Sequence, residues 1–178
     1  RGVGGNREMG AQSAEESLDE VQELLEGANM VFITAGMGGG TGTGAAPIIA
    51  GVAKNMGALT VAVVTKPFDF EGNRRKEVAE EGIAALSDKV DTLIVVPNQR
   101  LLEIVDASER LSFIDAMKKV DSVLAEGVRS ISNLISQTGY INADFNDAKS
   151  VMNNAGTALM GIGRASGENR AELAARAA

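Results

Sequence analysis

The residues best suited to chemistry lie between positions 30 and 57. An apolar run, Met30-Val31-Phe32-Ile33, leads through Thr34-Ala35-Gly36-Met37 into Gly38-Gly39-Gly40-Thr41-Gly42-Thr43-Gly44. An Ala- and Ile-rich segment, residues 45–55, follows. The run predicts a short buried strand and the segment a helix, so five glycines in seven residues fall on a strand-to-helix turn. Glycine there permits φ > 0 and removes the side chains that would keep a ligand from the backbone N–H groups. The helix start supplies unpaired donors and the positive end of a dipole, which suits a phosphate. Thr41 and Thr43 add hydroxyls at the same turn. A flexible loop or a helix-packing turn is the alternative, but so many glycines are costly to order without a ligand. The turn lacks the Lys-Ser/Thr of a Walker A loop, and no G-x-G-x-x-G threads through it.

Four further groups carry polar chemistry. Glu71 and Arg75 stand four apart at a helix start, where they can reach one ligand together or form a surface ion pair. Asn98, in Pro97-Asn98-Gln99-Arg100-Leu101-Leu102, can cap the helix that follows. Asp121, with Asp115, Lys118, Lys119 and Ser122, interrupts a long apolar pattern and by itself reads as a solvated helix residue. Asn142, Asp144 and Asp147 lie on a loop and the helix start after it, as capping and a helix dipole favour. Their spacing alone also permits a weak cation site. With no histidine and no cysteine, acid–base work falls to Asp, Glu, Lys or water, and disulfide and thiolate chemistry are excluded.

The elements that must position these residues follow from periodicity. Residues 1–10 read as a glycine-rich loop, and 13–26 as an acidic amphipathic helix with Leu18, Val21, Leu24 and Leu25 on one face, stopped at Gly27. Residues 57–65 form a second near-continuous apolar strand, as a sheet covered on both faces requires, and 92–97 a third after a helix over 75–87. This alternation predicts an α/β fold, half of a doubly wound, mostly parallel sheet with ligands at the carboxyl ends of its strands. The glycine turn, the loop 66–75 and the loop 97–102 converge there. Residues 111–137 form a long helix with Phe113, Met117, Val120, Leu124, Val128, Ile131 and Ile135 on one buried face. A strand after Gly156, running 158–163, and a helix over 168–178 end the chain.

At 178 residues the chain can bury one real core, and 24 acidic against 17 basic side chains leave a net charge of −7. That balance speaks against nucleic acid and anionic membranes as partners. No apolar run reaches the ~18 residues of a membrane span, no signal peptide opens the chain, and cysteine-free composition is consistent with the cytoplasm. Opening on Arg1 and closing inside an alanine-rich pattern, the sequence reads as a piece of a longer protein.

The sequence of residues 38–44 is the signature of the tubulin superfamily. With Met37 before it and Ala45-Ala46-Pro47 after it, the stretch closely resembles the FtsZ family, prokaryotic tubulin relatives that polymerise at the division site. The resemblance runs nearly end to end. It implies a partial GTPase domain with the central helix over residues 1–137, and an inter-subunit catalytic loop and its helix over 138–155. Residues 156–178 would begin a truncated second domain with a mixed sheet, and the family's first glycine loop would precede Arg1.

The same resemblance implies the ligands and roles. GTP or GDP is the expected nucleotide, with Mg2+ held by its phosphates rather than by protein ligands. Gly4, Gly5 and Asn6, with Glu8 and Gly10, fit a loop covering the terminal phosphate, although Arg7 stands where that pattern has proline. Gly38, Gly39, Gly40, Thr41, Gly42, Thr43 and Gly44 would hold phosphates, and Glu71 and Arg75 ribose and phosphates. Asn98 and Asp121 would read guanine: a carboxylate accepts from its N1 and 2-amino hydrogens, whereas adenine N1 offers a lone pair. Met117 falls where relatives often stack a phenylalanine on the base. Asn142, Asp144 and Asp147 match the loop that one subunit inserts into its neighbour's nucleotide site, making hydrolysis depend on assembly. The implied protein is a cytoplasmic GTPase forming head-to-tail filaments for septation with division-site partners, and without inserting into the membrane. Two rivals remain: a nucleotide-incompetent fragment retaining filament contacts, and a half-Rossmann dinucleotide enzyme. The missing G-x-G-x-x-G and acidic ribose partner oppose the latter.

Overall fold

The computed structural model describes residues 3–103, 112–136, 145–158, 163 and 165–177. Helices α1 (Arg7–Glu15) and α2 (Leu18–Leu25) precede β1 (Met30–Gly36), α3 (Thr41–Asn55) and β2 (Leu59–Lys66). A short 3-10 turn (Asp69–Glu71) leads to α4 (Asn73–Ser87), β3 (Thr92–Pro97) and α5 (Asn98–Glu103). Then come α6 (Phe113–Ser136), α7 (Phe145–Met152), β4 (Gly156–Ala158) and α8 (Arg170–Ala177).

The strands form one sheet in the order β1-β2-β3-β4, and every pair is parallel. All seven residues Leu59 to Thr65 of β2 are buried, because both faces of this central strand are covered. Ala62 and Val64 join Val31, Ile33 and Leu93 in a core shared with Ala46, Ala50 and Ala53 of α3 and Ala79 and Leu86 of α4. On the other face Val63 packs with Ile94, Val96 and the α6 residues Val123, Leu124, Val128 and Ile131. Alternate side chains of β2 thus serve two cores, which is what its unbroken apolar run requires.

At the start of α6 the Ser112 hydroxyl accepts the Asp115 N–H and donates to Asp115 Oδ2 at 2.6 Å. That donation holds the Asp115 carboxyl below the usual aspartate range.

Three expectations change. The opening loop is short: Arg7 already begins α1, because the Asn6 side chain accepts the Glu8 and Met9 N–H groups and caps it. The single helix over 13–26 is two, since the Ser17 N–H turns back to the Ala14 carbonyl at 3.2 Å and breaks the pattern. The last strand opens at Gly156, two residues ahead of the expected start at Ala158. Gly156, Thr157 and Ala158 pair in parallel with Thr92, Leu93 and Ile94 and extend the first sheet.

Candidate functional site

The glycine turn leaves the carboxyl end of β1 and enters α3 through Gly40, an N-cap with no side chain. The reason for glycine differs from position to position. Gly38 has φ of 100°, and a Cβ there would lie 2.7 Å from the Arg75 carbonyl oxygen. At Gly40 a Cβ would strike Val3 and the Asn6 backbone, at Gly44 the Arg7 carbonyl. Gly42 sits in the first turn of α3, where a Cβ would come within 2.6 Å of the Gly36 carbonyl oxygen. These four are small because the protein packs against them. Gly39 differs: a Cβ there would meet nothing within 4 Å.

The two threonines part company. Thr41 is exposed, whereas Thr43 is buried and its Oγ1 accepts the Gly38 N–H at 2.9 Å. Thr43 therefore shapes the turn from inside, against the expectation that its hydroxyl faces a phosphate. Its methyl lies where a Cβ on Gly82 of α4 would be, so a glycine inside a helix pattern was the sequence sign of this contact. The backbone of Asn6 lies against Gly40, which brings the exposed Gly4 and Gly5 to the edge of the turn. The side chain of Asn6 is occupied in capping α1.

The second loop is joined to both neighbours. Arg75 touches the glycine turn through its carbonyl, and its guanidinium pairs with Glu71 Oε2. Glu71 Oε1 accepts the Phe68 N–H at 2.9 Å, so both carboxylate oxygens already serve the loop itself. The Asp69 N–H donates to Gln99 Oε1 at 3.2 Å and ties this loop to α5, a contact the sequence did not suggest. Phe68 is fully buried against Val120 of α6, which sets the neighbouring Asp121, exposed, beside the same end of the sheet.

Asn98 opens α5 directly after β3. It is 5% exposed, yet its Oδ1 has no hydrogen-bond partner among the described residues. It does not cap its helix. An orphaned acceptor in a buried position costs roughly 1–3 kcal/mol unless something donates to it.

Asp147 stands apart. It is exposed in the first turn of α7, and the carbonyl of Met152 at the other end of that helix accepts the Thr92 hydroxyl at 2.7 Å. Thr92 begins β3, so α7 is fastened to the amino end of the sheet, opposite the glycine turn. Asn142 and Asp144 lie outside the described residues. Among the described residues, no group of acidic side chains could hold a metal ion, and no helix is long and apolar enough to cross a membrane.

A parallel sheet whose glycine turn opens onto an uncapped helix start, with two more loops gathered at its carboxyl edge, has the form of an α/β domain with a ligand crevice at that edge. The chain belongs to the Tubulin/FtsZ family: the model of that family's GTPase domain matches residues 1–106. It is similar to the FtsZ of M. jannaschii, solved as an empty dimer, at 47% identity and a TM-score of 0.94. That match covers 99% of this chain and 51% of the FtsZ chain, so the sequence spans about half the length of this relative. A CetZ from Methanosaeta thermophila matches at 24% identity and a TM-score of 0.75, over 95% of this chain and 47% of that one. CetZ1 from Haloferax volcanii, solved as a GDP-bound monomer, matches at 24% and 0.69, over 93% and 48%. The CetZ likenesses carry the fold alone.

Proposed function

We propose that this chain is the nucleotide-binding part of a GTP-hydrolysing protein of the FtsZ type. It polymerises head to tail in the cytoplasm for cell division, and each site is completed by the next subunit. The observation that carries the reading is the glycine turn, where Gly39 faces open space while its neighbours are small for the protein's own packing. A phosphate oxygen fits that space, with the N–H groups at the α3 start and the Thr41 hydroxyl as donors. Gly4 and Gly5 lie beside it, and Arg75, whose backbone meets the turn at Gly38, is the basic residue of the second loop that this reading uses. The buried Oδ1 of Asn98 accepts from the base, and Asp121 adds the two acceptors that guanine's N1–H and 2-amino group require. Mg2+ on the phosphates would offset their charge, as phosphoryl transfer demands.

Asp147 takes the role of water orientation in the neighbouring subunit, together with Asn142 and Asp144. Its helix is fastened to the far end of the sheet, which favours service to another copy over its own nucleotide. The solved dimer of the M. jannaschii relative supports self-association as the partner chemistry. Division-site proteins are the further partners this reading anticipates.

Equilibrium binding of labelled GTP to the full-length protein tests the nucleotide assignment and separates it from a purely structural module. Gly39→Ala is expected to leave the melting temperature within about 2 °C, a surface-like effect well under 1 kcal/mol. GTP affinity should fall at least tenfold, and an unchanged affinity would remove Gly39 from the phosphate site. Asp121→Asn should weaken the preference for GTP over ATP by roughly 1.5–3 kcal/mol, the worth of a charged hydrogen bond. A competition titration showing the parent's preference would return Asp121 to the solvated face of α6.

A further inference from the structure

At the amino end of the sheet, opposite the glycine turn, the fold buries a charge. Asp91 is 4% exposed, a setting in which an unpaired carboxylate is costly. Its Oδ2 accepts the Thr60 N–H at 2.9 Å, and its Oδ1 lies 3.3 Å from Lys54 Nζ. Lys54, in the last turn of α3, also donates to the Val90 carbonyl at 3.1 Å and to Asn154 Oδ1 at 3.3 Å. The carbonyl of Asp91 accepts the Gly156 N–H at 3.0 Å. Beside it the buried Thr92 hydroxyl donates to the Met152 carbonyl at 2.7 Å.

Three of these bonds share a target. They grip the last residue of α7, the turn after it and the first residue of β4. Asn154 and Gly156 in that turn have φ of 52° and 76°, so the chain reverses there in left-handed backbone. Ala148 is the buried side chain of α7, and Val151 is 77% exposed. An eight-residue helix with a single buried side chain gains little from packing alone. The bonds at Met152, Asn154 and Gly156 fasten its carboxyl end to the sheet and to Lys54 of α3.

We propose that Lys54, Asp91, Thr92 and Asn154 are positioning residues for nucleotide turnover: they form a seat that aims α7, and with it Asp147, at the neighbouring subunit's nucleotide. The inference rests on the reading of Asp147 as a group acting in trans. Asp147 lies five residues before Met152, about 7–8 Å along the helix. A tilt of about 10° at the seat therefore moves it by roughly 1 Å, and a displacement of that size can cost about 100-fold in rate. The Lys54 ammonium also ends the helix whose other end carries the glycine turn, so α3 spans from one functional element to the other.

The test uses the full-length protein with Thr92→Val and Asn154→Gly combined. Valine keeps the β-branched shape without the donor, and glycine suits the left-handed backbone without the Lys54 acceptor. GTP turnover per subunit should fall at least tenfold, while the equilibrium Kd for GTP stays within twofold of the parent. Mixed with Gly39→Val subunits, which lack nucleotide but carry an intact α7, the double variant should regain turnover at its own GTP. Asp147→Ala with the same partner is the control. If Asp147→Ala is rescued and the double variant is not, its defect lies in its own nucleotide face and the seat proposal fails. If neither is rescued although sedimentation shows co-assembly, the trans reading itself fails, and the seat with it. Parent-like turnover in the double variant would also overturn the seat. Should the double variant melt below the assay temperature, Asn154→Gly alone carries the same comparison, with at least a threefold loss expected.

Discussion

Gly42→Val in the full-length protein is expected to abolish GTP binding and to lower the melting temperature by several degrees. The cause is internal. A Cβ on Gly42 would lie 2.6 Å from the Gly36 carbonyl oxygen and 3.2 Å from the Ala35 Cβ, both at the end of β1. A backbone carbonyl cannot rotate aside as a long side chain can, so the first turn of α3 must move away from the strand that feeds it. Overpacking of this kind costs about 1–3 kcal/mol, or roughly 2–10 °C in a domain of this size. A shifted α3 start also misaligns the N–H groups proposed to hold phosphate, and misaligned donors weaken steeply. Binding isotherms and thermal melts measured together check both halves, and an affinity within threefold of the parent would remove the turn from the phosphate site. The comparison with Gly39→Ala is informative because the two glycines are small for different reasons. Gly42 yields a loss of fold and ligand together, whereas Gly39 yields a loss of ligand alone.

The sequence carried the sheet plainly. The apolar runs Val61 to Val64 and Leu93 to Val96 are strands buried on both faces and show as unbroken hydrophobic stretches, while the edge strand β1 buries Val31 and Ile33 on one face. The glycine turn was equally legible, but the role of each residue in it was not. Thr43 turns inward because its hydroxyl meets the Gly38 N–H, a choice between two neighbouring threonines that no spacing rule makes. The start of α1, residues 7–10, was read as loop because its contact with α3 runs through glycine and alanine. Gly10 fits against Gly40, Gly44 against Arg7, and Ala14 is buried, and hydrophobic periodicity is blind to contacts made by absent side chains. The pairing of Gly156 to Ala158 with β3 was not legible, because β3 lies some sixty residues earlier. The Lys54–Asp91 pair, 37 positions apart, left no local trace at all.

Asp147→Ala in the full-length protein is expected to leave GTP affinity nearly unchanged and to lower turnover by about two orders of magnitude. That is the scale of losing a group that orients or deprotonates the attacking water. The separation of the two effects follows from where the residue sits. The glycine turn leaves the carboxyl end of β1, while Met152, at the end of Asp147's helix, is bonded to Thr92 at the amino end of β3. A carboxylate mounted at that end contributes nothing to holding its own subunit's phosphates. On the proposed head-to-tail reading it faces the carboxyl edge of the next sheet, where the glycine turn, the Glu71 loop and Asn98 gather. Turnover per molecule should therefore rise with protein concentration in the parent, because two subunits must meet to make one site. A Gly39→Val subunit that binds no GTP should still lend its α7 to an Asp147→Ala subunit that does, and the mixture should recover part of the parent rate. Sedimentation establishes that the two variants enter the same polymer. Recovery without any change in GTP affinity would place Asp147 on the neighbour's nucleotide. A silent mixture of co-assembled subunits, or full turnover by dilute monomer, would leave Asp147 as a dipole-favourable acid at a helix start and nothing more.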